Sequence, residues 1–177
     1  MDRFFKIGIP KERYYDFDFI IVPTTHLHMK GFAISEEDAV TPESRAKVWV
    51  AKFKALLSAK LPFRKIGLAH MTCPLIAPTR AEYLELLTLL PEEELRKLFR
   101  RAAELGMGIE LNQSDFGYKD EEADVVLRPF LIAKSEGCKF YLGSDAHHPD
   151  AFKNTMARFN KAVDELSLKE TDKFILQ

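Results

Sequence analysis

The residues of this chain best suited to chemistry are Asp145 and His147, in the stretch Phe140-Tyr-Leu-Gly-Ser-Asp-Ala-His-His-Pro149. An apolar run over residues 140–142 breaks at Gly143 and hands over to polar residues. A buried strand that ends in a site-bearing loop has this pattern. Asp145 and His147 stand two apart, so an extended backbone points both to one side. A carboxylate and an imidazole converging from a strand end make half of a metal site. The competing reading is an Asx-type turn followed by an exposed histidine pair.

The remaining histidines bear on that choice. His26, His28, His70, His147 and His148 all follow the C-terminal end of a predicted strand, and none falls on a predicted helix. In parallel α/β folds those ends share one face, and that face carries the chemistry. Loops favour polar residues in any case, which is the competing explanation, but loops are also where lysines and acids should go. Imidazoles suit Zn, Mn and Fe, and carboxylates complete such sites. His26, His70, Asp145 and His147 are therefore the candidate ligands, with His28 able to share the side of His26. His148, before Pro149, reads as a solvent-facing neighbour. Cys73 follows His70 by three residues, but a buried, incidental cysteine explains it better than a ligand. Glu110 lies too deep in its strand to be a ligand, while Asn112 suits a hydrogen bond to a substrate or to a ligand.

These side chains need strands to carry them and helices to connect the strands. Apolar runs at residues 4–9, 17–22, 65–69, 107–111 and 138–142 read as strands. Thr41-Pro42-Glu43 reads as a helix start, with Thr41 as N-cap and Pro42 at the first helical position. That helix runs to about residue 60, with Val48, Trp49, Val50, Phe53, Leu56 and Leu57 on its apolar side. Further helices are expected over residues 80–89, 92–105, 120–136 and 153–166, and a tail with Leu168, Phe174, Ile175 and Leu176 should pack back on the body. Strands alternating with helices predict an α/β domain with a parallel sheet, one domain over residues 1–177.

Composition narrows the function classes. The net charge is −1, so no broad basic field invites nucleic acid. No apolar run approaches a membrane span, and residues 1–6 lack the features of a signal peptide. Two cysteines cannot make a disulfide framework, so a cytoplasmic, reducing setting is expected. The chain shows no Walker loop, no G-x-S-x-G elbow, no G-x-G-x-x-G and no C-x-x-C.

Four segments, taken in order, resemble a known family. Gly143-Ser-Asp-Ala-His147 resembles the last metal motif of the polymerase and histidinol phosphatase (PHP) superfamily. Ile66-Gly-Leu-Ala-His70, Gly108-Ile-Glu-Leu-Asn112 and Phe17-Asp-Phe-Ile-Ile-Val-Pro-Thr-Thr-His26 are similar to its earlier strand motifs. The resemblance implies an incomplete PHP-like (β/α) barrel with about four to five mostly parallel strands and flanking helices. It also implies a metal-dependent phosphoesterase with His26, His70, Asp145 and His147 as ligands to Zn, Mn or Fe. A small phosphorylated substrate is expected, with Arg80 or Lys30 offsetting phosphate charge and Asn112 contacting the substrate. The family's opening His-x-His strand has no counterpart here, since residues 1–16 hold no histidine. One to three ions are expected, fewer than the family norm. An incomplete barrel leaves open strand edges, which a homo-oligomer would cover. Two alternatives stand beside this one: a degenerate, non-catalytic binding or structural subunit, and an amidohydrolase-type C–N or C–O hydrolase opening on His26-Leu-His28.

Overall fold

The computed structural model describes residues 1–176. Four strands, β1 (Ile20–Pro23), β2 (Ile66–Ala69), β3 (Gly108–Asn112) and β4 (Lys139–Gly143), form one sheet in the order β1-β2-β3-β4. Every neighbouring pair is parallel. Five α-helices lie between and after them: α1 (Pro42–Ser58), α2 (Arg80–Leu89), α3 (Glu92–Leu105), α4 (Ala123–Ser135) and α5 (Thr155–Glu165). Parallel strands need crossover connections, and here each crossover moves one strand along the sheet. All four strands therefore end at the same edge.

Local sequence signals explain the elements. The Thr41 hydroxyl accepts from Ser44 N, and Ser44 Oγ accepts from Thr41 N, both at 3.2 Å. This reciprocal cap, with Pro42 in the first turn, starts α1 where the sequence predicts it. Three glutamates fill the first turn of α3, where the helix dipole favours negative charge. In-register pairing sets Ile20, Val22, Ile66, Leu68, Ile109, Leu111 and Phe140 on one face of the sheet. Helices α1 to α4 cover that face, with Trp49, Phe53, Leu56, Tyr83, Leu86, Phe99 and Phe130 fully buried in the shared core. Burial of side chains this size contributes about 1.5–3 kcal/mol each.

The opposite face is covered more thinly. Phe19, Tyr141 and Phe174 form an aromatic cluster there, with ring centroids 5.2 to 6.2 Å apart. The cluster lies on Gly67, where a Cβ would come within 2.5 Å of Phe19 Cζ. Ile21, which points the same way as Gly67 in the paired register, stays about half exposed.

Three expectations need correction. Residues 4–9 form no strand. Asp2 Oδ1 accepts from Phe4 N and Lys6 N, and Asp2 N donates to Lys6 O. These bonds fold the segment into a turn, with Phe5 at φ 60° and both phenylalanines exposed. The tail packs back only in part. Phe174 N donates to Phe140 O at 2.7 Å and Leu168 packs on the core, but Ile175 and Leu176 remain exposed. The helix expected from residue 120 begins as a 3-10 turn, Asp120–Glu122, before α4. Among the described residues, no helix is long and apolar enough to cross a membrane.

Candidate functional site

All five histidines lie in loops that follow strand C-terminal ends, at one edge of the sheet. The best-built of them is His70. Its backbone takes a left-handed conformation, φ 31°, which a non-glycine residue adopts at a cost. His70 N donates to Glu110 Oε2 at 2.5 Å, which holds the strained peptide in place. Thr25 Oγ1 lies 3.0 Å from His70 O and 3.1 Å from His70 Nδ1. With Thr25 Oγ1 donating to the His70 carbonyl, Nδ1 is assigned the ring proton and donates to Thr25 Oγ1. That leaves the Nε2 lone pair unengaged, the tautomer a metal or an acidic proton needs.

The His26 ring stacks on His70, with centroids 4.8 Å apart and planes inclined by 19°. His28 is exposed and meets His26 edge-on at 5.5 Å. Burial, and then the proximity of His70 and His28, pulls the pKa of His26 down to about 4. The ring is therefore neutral at pH 7 and able to donate a lone pair.

Asp145 and His147 sit together but not as the extended-strand argument predicts. Asp145 has φ 48°, so the backbone turns there rather than continuing. The turn still brings His147 Nε2 to 3.5 Å from Asp145 Oδ1. The His147 side chain is 88% exposed and the Asp145 side chain 48%. His148 is also exposed, and its Nδ1 accepts from Asp150 N to cap a short 3-10 turn, as a solvent-facing neighbour should.

Two buried carboxyl groups, Glu110 and Asp115, lie in β3 and just past its end. Glu110 is buried in β3, and its Oε1 lies against Gly143, where a Cβ could not fit beside it. Burial raises its pKa, while the bonds from His70 N and Asn112 Nδ2 oppose that rise. Asp115 is 2% exposed, and neither carboxyl oxygen has a hydrogen-bond partner. Burial, then Glu110, pushes its pKa well up. Asp145 acts electrostatically on both. Asp115 carries no metal-ligand pattern in the sequence; its only signal is a place three residues past the end of β3.

Other sequence-predicted residues take less direct roles. Asn112 is fully buried, donating to Glu110 and accepting from Ser114 N and Oγ, so it supports Glu110 rather than facing a substrate. The Arg80 guanidinium lies over the Tyr83 ring and makes a bidentate pair with Glu122, which holds that carboxyl down at about 2. Lys30 is exposed in the loop after His28. Cys73 is buried and its thiol is pushed up to about 12, so it stays protonated. Among the described residues, no three His, Cys, Asp or Glu side chains converge as a preformed metal cage.

Arg45 of α1 escapes the sequence reading, as does the polar role of Trp49. Arg45 is buried and donates to Ala39 O twice, to Leu27 O at 3.0 Å and to Ile76 O at 3.1 Å. Trp49 Nε1 donates to Met71 O at 2.8 Å. Together they tie the loop of His26 and His28 to the loop of His70. The signal for Arg45 is its helical position. It stands four before Trp49 and eight before Phe53, on the apolar face, where a charge must be buried and bonded. No protein-family model matches the chain, and no curated protein or solved structure matches it significantly.

Proposed function

We propose that the strand-end edge is a metal-dependent hydrolytic site, with phosphoesters as the substrate class. The observation that carries the reading is the His26–His70 pair: two imidazoles stacked at 4.8 Å, each with a lone pair to offer, from adjacent strand ends. The donor set fits a divalent ion of the Zn, Mn or Fe class. His26 and His70 would hold it, with Asp145 and then His147 supplied by the loop after β4. A bound ion of this class acts as a Lewis acid and lowers the pKa of a bound water. Thr25 keeps the His70 proton on Nδ1, away from the ligating nitrogen. Glu110 fixes the His70 backbone, and Arg45 and Trp49 hold both histidine loops at their mutual distance. The PHP-like barrel and the pairing of two copies across open strand edges belong to this proposal, as does a cytoplasmic setting.

The test is metal content together with turnover of p-nitrophenyl phosphate after Mn2+ or Zn2+ is added. The expected result is at least one ion per chain and turnover that disappears in His70→Ala and in Asp145→Ala. Protein that takes up no metal and stays inert would falsify the reading. A non-catalytic binding role is favoured by one observation, the exposure of His147 and its distance from a finished cage. It predicts metal uptake without turnover. A parallel panel of lactones and amides tests the amidohydrolase alternative.

A further inference from the structure

Gln113 stands one residue past β3 and is buried. It lies against the loop that carries Asp145. Its backbone N donates to Gly143 O at 3.0 Å, which carries the β3–β4 pairing one step beyond the strands. Its side-chain Nε2 donates to Ser144 O at 2.7 Å. Its Oε1 accepts from Thr155 Oγ1 at 2.6 Å, and its backbone carbonyl accepts from Arg158 Nη1 at 3.2 Å. Thr155 is buried at the first position of α5, and Arg158 follows it by three residues on the same helix. One glutamine therefore joins the end of β3, the loop after β4 and the start of α5.

These bonds fix which way the amide points. A backbone carbonyl only accepts, so the group facing Ser144 O is the NH2, and the amide oxygen faces the Thr155 hydroxyl. A carboxylate of the same shape would set an acceptor against Ser144 O, and a leucine would offer it no donor. Ser144 O belongs to the same planar peptide unit as Asp145 N. Holding that oxygen fixes the plane from which the Asp145 backbone turns at φ 48°. A residue other than glycine keeps such a conformation where its surroundings impose it. Gln113 holds two successive carbonyls ahead of that turn, those of Gly143 and Ser144. We propose that Gln113 is a positioning residue for the β4 loop: it sets the backbone turn at Asp145, and with it the direction in which Asp145 and His147 present their donors. The ligand role of those donors rests on the hydrolytic reading above; the clamp on the backbone does not.

The experiment has a metal-free arm and a metal arm, both on the full chain. The first measures NMR order parameters of the backbone amides at residues 144–147 in wild type, Gln113→Glu and Gln113→Leu. Wild type should show rigid values of about 0.85, and both variants should fall below ~0.6 there. The amides of β3 and β4 should keep their wild-type values, which shows that the variants remain folded. Thr155→Val, which removes the group that orients the amide, should loosen the same residues less. Order parameters that are equal in all the chains, or already low in wild type, overturn the clamp. The second arm is a Zn2+ competition titration. Both Gln113 variants should bind about tenfold more weakly than wild type. The same substitutions made in Asp145→Ala should cost nothing further, because the effect passes through Asp145. An equal loss in both backgrounds overturns the positioning role, and so does unchanged affinity. A wild type that takes up no Zn2+ sinks the hydrolytic reading alone, and the order parameters still decide whether Gln113 holds the loop.

Discussion

The loops after β2 and β4 both carry candidate ligands, and they are built differently. His70 is buried, strained, bonded at its backbone to Glu110 and at its ring to Thr25. Asp145 and His147 come from the most recognisable motif in the chain, yet they are largely exposed and bonded mainly to each other. A conspicuous motif is therefore no measure of how firmly its side chains are held. His70 is held through bonds to Thr25 and Glu110, while Asp145 and His147 contact mainly each other.

The contrast is sharpest where the β1 and β2 loops are tied. Arg45→Met removes four hydrogen bonds and leaves the carbonyls of Ala39, Leu27 and Ile76 unpaired. Urea unfolding should show a loss of about 3–4 kcal/mol. A loss below ~1 kcal/mol means the two histidine loops are held by something else. Gly143 is where the two regions touch. Gly143→Ala pushes a methyl group into the Glu110 carboxyl, which is also the anchor of the His70 backbone. The same measurement should show a loss of about 2–3 kcal/mol; a neutral result removes the link between the β4 end and His70.

A smaller effect is read from pH. His26 has a folded-state pKa of about 4 against an ordinary value of 6.5. Between those values the unfolded chain binds a proton that the folded chain does not, so stability falls as pH drops from 6.5 to 4. Glu110 and Asp115, raised by burial, work the other way below neutrality, so wild type is compared with His26→Gln. The difference between the two curves should change by about 1–2 kcal/mol across that window, allowing for the solvent that reaches the ring. A flat difference means the His26 ring is not buried against His70. The smallest effect is expected at the loose end. His147→Ala should alter stability by less than about 0.5 kcal/mol, while weakening Zn2+ binding in a competition titration. A large stability loss there would erase the contrast between the two loops.

Much of the scaffold is legible in the sequence. Apolar runs stopped by Pro23, His70, Asn112 and Gly143 mark strand ends, because a buried strand must surrender its polar loop at the edge. Thr41-Pro42 and Pro91 mark helix starts for equally local reasons. Where local reading fails, the competing interaction is also visible. Residues 4–9 have strand composition, but Asp2 captures their backbone N–H groups in a turn. Arg45 has the composition of a surface residue, but its helical phase puts it on the apolar face. Asn112 reads as a group for a substrate, and burial turns it toward Glu110.

The sequence by itself determines that this chain alternates strands and helices, and that its histidines, with Asp145, follow strand ends. Those facts depend on propensity, periodicity and turn residues, which act over a few positions. Only the tertiary structure decides that His26 stacks on His70, that Thr25 selects the His70 tautomer, and that Glu110 lies against Gly143. It also decides that Asp115 is sealed away with its oxygens unpaired. Each of these joins segments more than thirty residues apart or depends on what covers a side chain. Such distances and burials are set by how the strands pair and the helices pack, not by the neighbours in the chain.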